Sequence, residues 1–137
     1  MVFYPLDTRD KVDRFEQFVG DGGDPWIMVV HSSGCPHCVR MMPAYIDAAE
    51  RSDVLFAAYD VGNLQPQPEQ VLLSQLVSQI NSVPFILGCS KNGKKHVYAR
   101  NERTADNFVA FARDMAGEDE DAAFVRRLPE SMDLYDD

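Results

Sequence analysis

Cys35-Pro36-His37-Cys38 is the part of this 137-residue chain whose residue types and spacing can do chemistry. Two thiols three positions apart meet on one face if a helix begins there. The first then sits where free backbone N–H groups and the positive helix end favour an anion, which lowers a thiol pKa and populates the nucleophilic thiolate. Pro36 suits a first helical turn, where its missing N–H is not needed. Such a pair can exchange with disulfides through a mixed disulfide. The same spacing could be half of a zinc site, or hold inert thiols, but no second CxxC exists to complete a tetrahedral centre, so no metal is expected. Cys89 is the one other cysteine, and reads as a small buried hydrophobe or a modifiable thiol.

The elements around the motif are those needed to aim it. Trp26 to Val30 is a continuous apolar run, as in a strand buried on both faces, and Ser32-Ser33-Gly34 leads from it to Cys35. From Cys35 to about Arg51 the apolar spacing is helical, with Pro43 expected to kink it. An amphipathic helix is expected over about 8–19, a second buried strand over Val54–Tyr59, a helix through Leu72 to Ile80, and a strand over Val83–Cys89. Asn92-Gly93 signals a hairpin with a return strand over Lys94–Ala99, and Thr104 can cap a last helix that Gly117 ends. Val2–Tyr4 can add an edge strand. The expected fold class is α/β, with a mixed central sheet of four or five strands and helices on both faces.

Composition bounds the rest. The net charge is −9 and 45% of residues are hydrophobic, ordinary for one folded domain. A general nucleic-acid binder would need a basic face, and no run approaches a membrane span, so neither partner is expected. Residues 118–137 hold eight acids and two arginines, −6 of the total. The chain thus divides into a body, 1–117, and an acidic tail, 118–137, expected to be disordered, to dock as an extra helix through Ala122, Phe124, Val125 and Leu128, or to recognise a partner. Lys91, Lys94 and Lys95 read as a solvated turn, and Trp26 as packing. Met1 to Lys11 has no secretory pattern, so a cytoplasmic protein is expected. A monomer is expected as well.

Over about residues 8–116 the chain resembles the thioredoxin-fold thiol–disulfide oxidoreductases. The resemblance rests on Cys35 and Cys38 after an apolar strand, on Pro43 five residues beyond Cys38, on Val83-Pro84 before a strand and hairpin, and on the final amphipathic helix. It implies that Pro84 is a cis-proline, that Val83 and Pro84 contact substrate, and that Cys35 and Cys38 are catalytic. Partners are then protein dithiols or disulfides, with a thioredoxin reductase or glutathione as electron donor, and no cofactor is implied. The chain departs from thioredoxins proper at three places. Val29 and Ala58 stand where those carry a buried Asp and its Lys, and Gly34 stands for the Trp before the first Cys. Pro36-His37, with Val83 before the proline, is similar to the DsbA-type oxidases, which implies that Pro36 and His37 tune the thiolate and bias exchange toward oxidation. Asp60 to Val83 is too short for the DsbA helical insertion. A glutathione-dependent glutaredoxin-like enzyme and a non-catalytic thioredoxin-fold binding module remain as alternatives.

Overall fold

The computed structural model describes residues 2–63, 71–99, 102–117 and 125–127. In chain order the elements are β1 (Val2–Pro5), α1 (Arg9–Asp21), β2 (Trp26–His31), α2 (Pro36–Arg51), β3 (Leu55–Asp60), α3 (Val71–Gln79), β4 (Phe85–Cys89), β5 (Lys95–Tyr98), α4 (Ala105–Ala116) and β6 (Val125–Arg127). The sheet runs β1-β3-β2-β4-β5-β6. β1, β3 and β2 are parallel, while β4, β5 and β6 each run antiparallel to the preceding neighbour in the sheet. This is the mixed sheet expected of the body, five strands, extended by one.

The sixth strand corrects the expectation for the tail. Residues 125–127 are extended and pair with β5, Tyr98 opposite Val125 and His96 opposite Arg127. A helix through Val125 is therefore not what forms there; the open edge of β5 offers unpaired backbone groups that a strand satisfies and a helix does not. Ala122, Phe124 and Leu128 lie outside the described residues.

Strand residues alternate between two apolar layers, as the period of a strand requires. Ile27 and Val29 of β2, with Phe56 and Ala58 of β3, face α2 and α4, where Met41, Tyr45, Ala48, Phe108, Phe111 and Met115 are buried. Met28 and Val30, with Ala57, Tyr59 and Leu87, face the other way, toward Val12, Phe15, Leu73 and Leu76 of α1 and α3. Tyr45 anchors the first layer. Its ring meets those of Phe3, Phe56 and Phe108 edge-on, and its hydroxyl donates to the Ala57 carbonyl at 2.6 Å, so that the buried hydroxyl has its partner. Trp26 packs edge-on against Phe15 in the second layer.

Caps explain where the helices begin. Thr8 accepts from the Lys11 N–H at 3.1 Å and Thr104 from the Asn107 N–H at 3.2 Å, each fixing a helix start. Gly117, at φ +81°, closes α4 in the left-handed region. α2 continues through Pro43 to Arg51, with Pro36 in its first turn. β4 starts two residues later than expected because Val83 and Pro84 form the approach to it, and Lys95 is 7% exposed rather than solvated, since it lies opposite Cys89 inside the β4–β5 ladder.

Candidate active site

The site forms where β2 ends. Its register places Val30 opposite Phe85 at the start of β4 and His31 opposite Asp60 at the end of β3. One sheet end therefore gathers the exit of β2, the exit of β3 and the entry to β4. The chain turns over Ser32-Ser33-Gly34, with the Cys35 N–H donating to the Ser32 carbonyl at 3.1 Å and the Gly34 N–H to the Ser32 hydroxyl at 3.3 Å. The turn releases Cys35 as the N-cap of α2, in extended conformation, with its sulfur accepting from the Cys38 N–H at 3.2 Å. A cysteine thus does what Ser or Asp does at other helix starts.

The two thiols are reduced and differ sharply in exposure: Cys35 is half-buried and Cys38 fully buried. The Cys38 thiol, hydrogen-bonded to Cys35, lowers the Cys35 pKa; backbone N–H groups of Cys38 and His37 and the charge of Arg103 act in the same direction, against partial burial. Burial pushes Cys38 up to about 11, and its hydrogen bond to Cys35 adds to that. Cys35 thus gives up its proton more readily than an ordinary thiol and Cys38 less readily.

The Val83–Pro84 peptide bond is cis, and the Val83 carbonyl accepts from the Cys35 sulfur at 3.7 Å. The structure thus brings four of the six sequence-predicted residues, Cys35, Cys38, Val83 and Pro84, to one place. Pro36 begins α2 beside them. His37 is divided: its backbone N–H reaches toward Cys35, while its ring nitrogen Nδ1 accepts from Arg40 Nη2 at 2.9 Å. Val29 and Ala58 are direct neighbours across β2 and β3, and both are buried in the apolar layer. His31, at the strand end, has its pKa lowered by burial, with Asp60 opposing.

Arg103 was not legible from spacing. The connection that holds it returns from β5 to α4, and its backbone is fixed on both sides. Tyr98 Oη and Asn107 Nδ2 both donate to the Glu102 carbonyl, and Thr104 caps α4. The cation acts on both sulfurs, lowering each. Only the antiparallel register, which puts the exit of β5 at the sheet end where β4 begins, could have pointed to it. A shallow apolar groove runs from Ser32 and Ser33 along α2 past Val39, Met42 and Ile46, with Val39 56% exposed.

Among the described residues no group of three or more His, Cys, Asp or Glu could hold a metal ion, and no helix is long and apolar enough to cross a membrane.

No protein-family model matches the chain. A rice protein (Oryza sativa subsp. japonica), a probable chloroplastic 5'-adenylylsulfate reductase, is 29% identical over 93 residues, 67% of this chain and 20% of the rice protein. The chain therefore matches about a fifth of that relative's length. Among solved structures, the J-Trx1 fragment of ERdj5 superposes with a TM-score of 0.59 at 22% identity, over 80% of this chain and 49% of the fragment. A poplar thioredoxin h superposes with a TM-score of 0.56 at 18% identity, over 80% of this chain and 95% of the thioredoxin. The chain has the thioredoxin fold, and its cysteine pair lies in the CxxC arrangement at the start of α2.

Proposed function

We propose that this thioredoxin-fold chain is a thiol–disulfide oxidoreductase that exchanges disulfides with protein substrates through Cys35 and Cys38. The observation that carries the reading is the opposed tuning of two adjacent thiols. Cys35 is accessible and lowered, and Cys38 is buried and raised to about 11, within one hydrogen-bonded turn. Inert thiols need no such asymmetry.

In the reducing direction the Cys35 thiolate attacks one sulfur of the substrate disulfide. That S–S bond breaks, a Cys35–substrate disulfide forms, and the substrate's other sulfur leaves as a thiolate that takes a proton from water. Cys38 then gives up its proton and attacks the Cys35 sulfur. The mixed disulfide breaks, the Cys35–Cys38 disulfide forms, and the second substrate sulfur leaves. Two electrons have passed from the pair to the substrate; the reverse sequence oxidises a dithiol. Val29 and Ala58, buried partners across β2 and β3, stand where thioredoxins proper carry an acid and a base, so the Cys38 proton passes to water.

The Val83 carbonyl, already in contact with Cys35, and the cis-linked Pro84 that follows it form the wall against which the substrate chain lies. Pro36 presets the first helical turn and the His37 N–H supports the thiolate. The likeness to a segment of the rice reductase supports a thiol carrier; the chain matches too little of that protein to take over its sulfur substrate.

The test is turnover of a protein disulfide such as insulin, with either thioredoxin reductase and NADPH or glutathione and glutathione reductase. Activity with one of these donors, lost in C35S, is the expected result, and the donor that works separates a thioredoxin-like enzyme from a glutaredoxin-like one. Inactivity with both, in either direction of exchange, overturns the reading and leaves a binding module.

A further inference from the structure

Helix α2 carries two apolar stripes, and only one of them is buried. Cys38, Met41, Tyr45, Ala48 and Ala49 lie beneath the helix. His37, Arg40, Asp47 and Arg51 are exposed along the face turned from them. Between these faces runs a second apolar stripe, Val39, Met42, Pro43 and Ile46, at i, i+3, i+4 and i+7. Together with Ser32 and Ser33, in the turn before Cys35, it lines a groove of about 530 Å³. Among the described residues no Asp, Glu, Lys or Arg lines this groove. Val39 is 56% exposed, more open than any other large hydrophobic side chain described.

The position of the groove says what it is offered to. Its walls are bonded to the nucleophile from both sides. The Cys35 N–H donates to the Ser32 carbonyl at 3.1 Å, and the Val39 N–H donates to the Cys35 carbonyl at 3.0 Å. Met42 stands seven positions beyond Cys35 in sequence, roughly 10 Å along a helix, which about three residues of extended chain can span. A polypeptide joined to the Cys35 sulfur thus brings its own neighbouring side chains over the stripe. Seven residues line the groove, whereas a stable interface between folded copies takes about 20–30 on each side. The groove is therefore too small to hold a free partner, but its volume falls in the range of ligand pockets, roughly 300–1,000 Å³. A ligand already tethered beside it needs no larger contact, because the tether raises its local concentration.

We propose that this groove is a selectivity subsite for the exchange reaction, taking an apolar side chain of the substrate polypeptide about three residues from the cysteine that joins Cys35. The assignment rests on the oxidoreductase reading and deepens it by naming the substrate class: disulfide-bearing chains with a Leu-like side chain at that spacing. The Val83 carbonyl and Pro84 line none of the groove, so contact with the substrate backbone there and with its side chain here are separate. A carboxylate carried to the same place would lose water and find no cation in return.

The test uses the full chain in its reduced form and a panel of disulfide-linked peptides, otherwise Gly and Ser. A single Leu, Ser or Asp is stepped from four residues before the peptide cysteine to four residues after it. Rapid quenching reads the rate of the first attack. Wild type is expected to favour Leu over Ser by about five- to twentyfold at a position near three residues from the cysteine, the scale of half-burying one such side chain, with Asp no better than Ser. V39S is expected to abolish that preference and V39L to keep it, with urea unfolding showing that both variants are folded. A wild type with no preference at any position overturns the proposal, as does a preference that V39S leaves intact. A wild-type dimer that V39S dissolves would give the groove to a second copy and overturn it too. Wild type that attacks none of the peptides overturns the oxidoreductase reading itself, a result distinct from attack without preference.

Discussion

Strand β4 is approached past one cysteine and ends on another, and the two are treated in opposite ways. At its entry the Val83 carbonyl meets Cys35, which is half-exposed, caps α2 and is surrounded by donors. At its exit Cys89 lies between Trp26 and Lys95 in the sheet, buried in the apolar layer, with its S–H directed to the Ser90 carbonyl at 3.7 Å. The neighbouring helix ends differ too. Cys35 stands at the N-terminus of α2, whereas the turn after Cys89 bonds to the C-terminal part of α4, where the Lys91 N–H donates to the Met115 carbonyl. A helix start supplies free N–H groups and partial positive charge to a thiolate, and a helix end supplies carbonyls. The same residue type is a candidate nucleophile where it caps a helix start and filling where it is buried in the layer that faces α1 and α3.

The largest effect that can break this contrast is on the exchange rate. C35S is expected to lose it by about 10³-fold or more, as removal of a nucleophile does, while C89S keeps the wild-type rate; insulin reduction measures both. Next is packing at the far end. A Cβ on Gly88 would lie 2.7 Å from Met115 Sδ and 2.8 Å from the Phe111 ring, so Gly88→Ala is expected to cost about 1–3 kcal/mol in urea unfolding without changing the rate of the folded protein. If Gly88→Ala altered the rate instead, the two ends would not be independent.

Titration sharpens the contrast within the site. Alkylation of Cys35 should half-saturate below the ordinary thiol value, and that of Cys38 only near 11. The signs for stability are opposite. Cys35, depressed, adds stability above its ordinary value that is lost as pH falls through its folded one. Cys38, raised, holds a proton that the unfolded chain gives up, so between about 9 and about 11 it costs the reduced protein stability as pH rises. Wild type should therefore lose stability faster than C38S across that interval, as urea unfolding will show. The smallest expected effect is that of Arg103→Gln, which should slow Cys35 alkylation at pH 7 by about two- to fivefold, the scale of a single exposed charge. Unchanged alkylation would remove Arg103 from the site.

What the sequence made legible follows from how local each determinant is. The buried run Trp26 to Val30, the amphipathic first helix, the helix capped by Thr104 and the Cys35–Cys38 helix start are each written in a few adjacent residues, and the structure shows all of them. The edge strand at 125–127 was not, because its cause is an unpaired edge on β5 far away in sequence. Lys95 was misjudged for the same reason: the neighbouring Lys91 and Lys94 are exposed, and only the pairing of Lys95 with Cys89 buries it. Arg103 and the Arg40 contact to His37 depend on which side chain meets which, and residue types alone do not fix that.

The central claim is that Cys35, made nucleophilic by its place at the start of α2, forms the covalent link to substrate and Cys38 resolves it. Mass spectrometry of C38S mixed with a disulfide-bonded peptide tests this most directly. A stable adduct carrying half the peptide, mapped to Cys35, is the predicted result; no adduct, or one mapped to Cys89, would contradict it.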